Sequence, residues 1–287
     1  MGEWNVSIDC LAHAKINWAL NITGRREDGY HELDMLMHAI DLADGLRVEP
    51  AEALSLTVDG LPARDAGQNL VMRAAVALNA YVGQRNGARM ALVKRVPARA
   101  GLGGGSADCA AALKALNALW DLRLPMDALM EIGAGLGADV PFCLTGGLAR
   151  VSGIGERIDP VPGAPALPLV LVTPGGGLST RAVFAAWDAG GWPAVSLDSR
   201  ALAGAVVRRD LAAVDALCAN ALTAPAVAMM PEIGALIDRL RVLGAGAAFM
   251  TGSGSTAVGA FDDAATARRA AAAIPGAVLA HTLADGA

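Results

Sequence analysis

At 287 residues the chain is long for one domain and comfortable for two. Apolar residues make up 54% of it and charged residues 18%, which excludes a disordered chain. A net charge of -5 provides no basic surface for a phosphate backbone, so nucleic acid is not an expected partner. The basic residues are 20 arginines and only three lysines, Lys15, Lys94 and Lys114. A compact ammonium in so arginine-biased a chain hints at a specific need.

The opening MGEWNVSIDC has no basic stretch followed by an apolar run, and glycine, serine and threonine interrupt residues 244–261. Four scattered cysteines, with no C-x-x-C pair, fit a reducing compartment. A soluble cytoplasmic protein, not held at a membrane, is expected. Residues 14–22, AKINWALNI, alternate: Ile16, Trp18, Leu20 and Ile22 share one face of a strand, and Lys15, Asn17 and Asn21 the other. A polar loop, GRREDGYHE, follows. Further strands are expected around 35–40, 45–49, 54–58 and 89–96, with a helix over 69–82.

From Pro97 the chain runs through a glycine loop into a helix on which Leu113, Leu116 and Trp120 share a face. Another helix starts at Pro125 and stops at 135–137, and the proline-rich stretch 160–168 reads as a linker. Beyond it come a buried strand at 167–172, a helix capped by Ser179 or Thr180 and several alanine-rich helices. The chain closes with strand, TGSGST loop, strand, helix and strand. Strands and helices mix without regular β-α-β alternation, so the fold class is α+β, with two domains, 1–160 and 161–287, meeting at a cleft.

Gly101, Gly103, Gly104 and Gly105 directly precede Ser106 and its helix. Glycines let backbone approach a ligand closely, and first-turn N–H groups with the helix dipole favour an anion such as a polyphosphate. No Gly-Lys pair exists for a Walker A loop, and the third glycine or alanine of a Rossmann fingerprint is missing. A plain turn with a cap at Ser106 is the simpler alternative, but capping alone does not ask for so many glycines.

The segment P-x-x-x-G-L-G-G-G-S-A-D, residues 97–108, resembles the phosphate loop of the GHMP kinases. GADVPFC, around Asp139, and AKINWALNITGRREDGYHEL, from Ala14, resemble two further motifs of that family, and the order along the chain agrees. The resemblance implies the GHMP kinase fold, ATP as phosphate donor and Mg2+ accompanying the nucleotide, with metal ligands unassigned. It implies Asp139 as general base, with Lys15 keeping it ionised and orienting the acceptor hydroxyl.

The same resemblance implies that Pro97, Gly101, Leu102, Gly103, Gly104, Gly105, Ser106 and Ala107 hold ATP. Asn69 and Asn117 would lie near its base. Relatives often carry Ser and Asn where this chain has Ala107 and Asp108. Ala107 thus lacks a hydroxyl for phosphate or metal, and Asp108 offers a carboxylate near the magnesium. For the acceptor, the resemblance implies contacts from Asn17 and Thr180, Tyr30 and Phe184 on the two faces of a cytosine, and His31 at its edge. The TGSGS turn, 251–255, corresponds to the family's third motif. The implied reaction moves the γ-phosphate of ATP to a hydroxyl of a cytidine-diphosphate alcohol. A family member acting on another small alcohol, homoserine- or mevalonate-like, and a non-catalytic binding relative are the alternatives. Lys94 and Lys114 read as solvated surface.

Overall fold

The computed structural model describes residues 7–59 and 66–285; Met1 to Val6, part of the opening read above for a leader, lie outside them. The chain forms two compact units. The first comprises Met1–Ala14, Leu42–Val96 and Gly103–Thr145; the second comprises Lys15–Asp41, Pro97–Leu102 and Gly146–Ala287. This packing differs from the expected division at residue 160, because Lys15–Asp41 and Pro97–Leu102 fold with the C-terminal part.

Two long strands, β1 (Ile8–Arg25) and β2 (His31–Pro50), pair with each other and contribute to both units. Separate strands were expected at 35–40 and 45–49. No glycine or proline interrupts 31–44, so nothing stops β2 between them. In the first unit, β3 (Leu54–Asp59) runs parallel to β4 (Ala88–Val93), and β4 pairs antiparallel with β2 from Gly45↔Val93 onward. The parallel pair needs a crossover, which α1 (Leu70–Val82) supplies. Then follow α2 (Gly104–Leu119), α3 (Met126–Ala134) and α4 (Val140–Thr145).

The alanines of α2 allow close packing: Ala107, Ala110, Ala112 and Ala115 are buried with Leu113 and Leu116 against Leu78, Met90 and Leu92. Trp120, expected on the same face, is only partly buried and donates its Nε1–H to the Gly87 carbonyl at 3.1 Å.

A charged cluster lies inside this apolar unit. Lys94 was expected on the surface, yet its side chain is only 7% exposed and bridges Asp44 and Asp108, the latter at 2.5 Å. The second oxygen of Asp44 accepts the backbone N–H groups of Arg95 and Val96, at 2.5 and 2.8 Å. Asp108 keeps one buried oxygen, Oδ1, without a hydrogen-bond partner. Burial pushes its carboxyl up to about 7 against the opposing pull of Lys94. Lys114 is exposed as expected.

The second unit adds β5 (Leu148–Gly153), antiparallel to the first half of β2, and β6 (Arg157–Pro160) on its edge. Next come β7 (Pro168–Val172), α5 (Thr180–Asp188), α6 (Ser199–Val207), α7 (Leu211–Leu217), α8 (Thr223–Met229) and α9 (Glu232–Val242). The remaining elements are β8 (Ala247–Met250), β9 (Ala257–Ala260), α10 (Ala264–Ala272) and β10 (Val278–His281). Four strands form an antiparallel sheet in the order β10-β7-β9-β8.

The residues after β10 tie this unit together. Thr282 accepts the Leu167 N–H at 2.8 Å and donates to the Pro165 carbonyl at 2.7 Å, which orders the expected linker. Leu283 donates its N–H to the Ala39 carbonyl at 2.9 Å. His38 is buried, accepts from Trp18 Nε1 at 3.3 Å and donates to the Leu283 carbonyl at 2.9 Å. Its burial pulls the imidazole down to about 4, so it stays neutral. No described helix is long and apolar enough to cross a membrane.

Asp108 gives a pH test. Between its ordinary value of 3.8 and about 7 the folded protein holds a proton that the unfolded chain has released. That contribution to stability is therefore present at low pH and falls as pH rises through the window. Asp108→Asn removes it, so the stability of the variant relative to the parent should increase from pH 4.5 to pH 7.5 in urea titrations. A pH-independent difference would show that Asp108 titrates as it does in the unfolded chain.

Candidate active site

Lys15 and Asn17 lie mid-strand on β1, on its polar face. Both are buried, at 4% and 1% exposure, because loops distant in sequence cover them. The Lys15 ammonium donates to Asn17 Oδ1 at 2.6 Å and to the Gly101 carbonyl at 3.2 Å, and the Lys15 N–H bonds the Leu102 carbonyl at 3.0 Å. Asn17 N–H donates to Thr251 Oγ1 at 2.8 Å, and its side-chain amide faces Met35 Sδ at 3.4 Å. The start of the glycine loop and the TGSGS turn thus meet the polar pair of β1 within one unit.

The loop and the turn approach too closely for a side chain. A Cβ at Gly101, whose φ is +79°, would lie 2.3 Å from the Thr251 carbonyl oxygen. Thr256 N–H donates to the Ala100 carbonyl at 3.2 Å, fastening the far side of the turn. Asn220, which the sequence reading missed, donates through Nδ2 to the carbonyls of Met250 and Gly252, at 3.0 and 2.9 Å. Only its place after α7, with no motif around it, was visible in sequence. Thr180, the first residue of α5, shares a 2.8 Å hydroxyl hydrogen bond with Ser253.

Gly103 sits in the left-handed region at φ +69° and caps α2 with no side-chain hydrogen bond. The helix therefore begins inside the glycine loop, at Gly104, with its first-turn donors presented by glycine backbone. Gly105 is exposed, and a Cβ there would meet only Leu70 Cδ1 at 3.5 Å. This cradle fits a polyphosphate. Ser106 lies beside the 137–140 segment: a Cβ on Gly137 would be 3.6 Å from its Oγ. Asp139 immediately precedes α4, and its carbonyl accepts the Cys143 N–H at 3.0 Å.

Four more of the expected residues have side chains engaged within the protein. Ala107 is buried among core residues of the first unit, so position 107 presents its methyl to packing and not to a ligand. Asp108 is committed to Lys94 and buried at 3% exposure; it does not extend a carboxylate into the open. Asn117 braces Leu124, donating to its carbonyl at 3.1 Å and accepting its N–H at 3.0 Å. Asn69 accepts the Val71 N–H at 2.9 Å as the N-cap of α1.

The residues assigned to the acceptor base gather elsewhere in the second unit. His31 stacks on Phe184, with ring centroids 4.8 Å apart and planes at 27°, and meets Trp187 edge-on at 5.7 Å. Its Nε2 bonds Asp188 Oδ1 at 2.8 Å. Tyr30, the residue before His31, is 60% exposed. Trp187 and Asp188 were not anticipated, although they follow Phe184 by about one helical turn.

The profile described as GHMP kinases N terminal domain matches residues 69–147, and that described as GHMP kinases C terminal matches residues 202–280. The chain belongs to the GHMP kinase family, has its fold, and is a small-molecule kinase. A 4-diphosphocytidyl-2-C-methyl-D-erythritol kinase of Pelotomaculum thermopropionicum is 44% identical, across 92% of this chain and 93% of its own length. The Rhizobium etli protein of the same name is also 44% identical, over 92% of this chain and 88% of its own. A crystal structure of 4-(cytidine 5'-diphospho)-2C-methyl-D-erythritol kinase superposes with a TM-score of 0.81 at 37% identity, covering 96% of this chain and 99% of that one. The homoserine kinase of Cytophaga hutchinsonii, at 16% identity and a TM-score of 0.74, shares the fold.

The loop glycines divide by function. Gly101→Ala should lower the melting temperature, since its Cβ would strike the Thr251 carbonyl. Gly105→Val should keep the fold and weaken ATP binding by about tenfold or more, because the added side chain meets the ligand and not the protein. Thermal melts and calorimetry separate the two, and unchanged ATP affinity in Gly105→Val would move the phosphates elsewhere.

Proposed function

We propose that the chain transfers the γ-phosphate of ATP to the 2-hydroxyl of 4-diphosphocytidyl-2-C-methyl-D-erythritol, a step of isoprenoid precursor synthesis by the non-mevalonate route. The relatives named for that reaction support the reading, since they match along nearly the whole chain. The observation that carries it within this protein is Lys15. A buried ammonium needs strong compensation, and here it is aimed at a phosphate-loop carbonyl and at Asn17.

In this reading the backbone of Gly101 to Ser106 receives the ATP phosphates, with Pro97 and Leu102 shaping the loop. Asp139 accepts the proton of the acceptor hydroxyl. Lys15 orients that hydroxyl and keeps the base ionised, while Asn17 and Thr180 help to place the acceptor. Transfer of this kind depends on positioning and charge far more than on covalent chemistry. Mg2+ is proposed to enter with the nucleotide and would supply charge neutralisation on the transferred phosphate; among the described residues no group of three or more His, Cys, Asp or Glu could hold a metal by itself. A cytoplasmic location belongs to the same reading.

Asp139→Asn should bind ATP about as well as the parent while turnover falls roughly 10²–10⁴-fold, the usual size of a lost general base. Coupled ATP-consumption assays with the cytidine-diphosphate alcohol measure this; near-normal turnover in the folded variant removes Asp139 from the mechanism. Tyr30→Ala should weaken acceptor binding about ten- to a hundredfold through lost base stacking, with ATP affinity unchanged. If its acceptor affinity equals the parent's, Tyr30 does not stack on the base.

A further inference from the structure

His31 is held more firmly than a simple edge contact requires. Phe184 lies against one face of its ring and Trp187 meets it edge-on, so the ring plane is set. Its side chain is 10% exposed. The third constraint is Asp188, 2.8 Å from Nε2. Asp188 is the last residue of α5, where the unpaired carbonyls of a helix end disfavour a negative charge. An acid at that position is not explained by helix stability. Arg25, at the end of β1, approaches the other oxygen of Asp188 at 3.9 Å, which orients the carboxylate.

A carboxylate accepts hydrogen bonds and cannot donate them, so Nε2 of His31 must carry the hydrogen of this bond. In the neutral ring the lone pair is then left on Nδ1, which has no hydrogen-bond partner among the described residues. An acceptor at that place distinguishes pyrimidines. Cytosine presents an amino group at its position 4, which can donate to Nδ1; uracil presents a carbonyl oxygen, which would face a lone pair with another lone pair. The opposite tautomer would reverse this preference.

We propose that Asp188 is a positioning residue that fixes His31 in the tautomer able to favour cytosine over uracil. The inference rests on the reading of His31 as the contact to the base edge. It goes further in assigning the choice of base to a carboxylate that touches no substrate. A group that accepts an amino hydrogen discriminates strongly against an analogue that cannot supply one, because the mismatched pair leaves polar groups unpaired.

The test uses the full-length protein, labelled with 15N-histidine, and its variant Asp188→Asn. Asparagine keeps the size of the side chain and can either accept from Nε2 or donate to it, so the ring stays in place while its tautomer is released. With four histidines in the chain, the His31 signals are assigned by their loss in His31→Gln. The parent should show a protonated Nε2 and a lone-pair Nδ1, and should bind cytidine diphosphate at least about tenfold more tightly than uridine diphosphate in calorimetry. In Asp188→Asn the nitrogen shifts should move towards a tautomer mixture and the preference for cytidine should shrink severalfold, while ATP affinity is retained. A parent with hydrogen on Nδ1, or an Asp188→Asn variant with undiminished preference, overturns the inference while leaving base recognition standing. A parent that binds both diphosphates equally overturns the reading of His31 as a base contact, and the inference with it.

Discussion

The second unit is organised around a contact that no side chain could survive. The backbone at Gly101 approaches the Thr251 carbonyl so closely that a Cβ would sit 2.3 Å away. This approach puts the Gly101 carbonyl within reach of the Lys15 ammonium and brings Thr251 to the Asn17 backbone. Two glycine-containing loops, more than a hundred residues apart, therefore act as one rigid support, fastened by Thr256 to Ala100 and by Asn220 to the turn itself. That support supplies hydrogen-bond acceptors to the buried Lys15 ammonium.

The first unit solves a different electrostatic problem. Two carboxylates, Asp44 and Asp108, share the single ammonium of Lys94 inside an alanine-rich core. Asp44 also receives the N–H groups of Arg95 and Val96, so the same residue shapes the backbone that leads into Pro97. Removing one partner from such a group is far more damaging than its net contribution suggests, since the remaining charge is left buried. A relative with asparagine at position 108 would have less negative charge to compensate. In this chain the compensation is incomplete, and the raised carboxyl of Asp108 records it.

The fold class and the loop before α2 were legible because glycine clustering and motif order are local signals. What was not legible depended on partners far away in sequence. Alternation in 14–22 gave β1 a polar face, but not what covers it; the 97–102 and 251–256 segments make it an interior. Lys94 misled for the same reason, since its two acids stand 50 and 14 residues away. Asn117 illustrates a local partner that went unread. A motif neighbour suggested a ligand contact, but the short turn to Leu124 uses both ends of its amide. His31 and Phe184 lie together, and the other residues that hold the imidazole, Trp187 and Asp188, lay unremarked farther along the same helix.

The ties made by residues 281–285 bear on the order in which the protein can be assembled as it is synthesised. His38 emerges early, but the carbonyl that accepts its Nε2 hydrogen belongs to Leu283. Ala39 waits for the N–H of the same residue, Leu167 for the hydroxyl of Thr282, and β7 for β10. The segments that complete the first unit end at Thr145. All the segments of that unit are therefore made before residues 281–285, on which the second unit depends for the partner of a buried histidine and for a sheet edge.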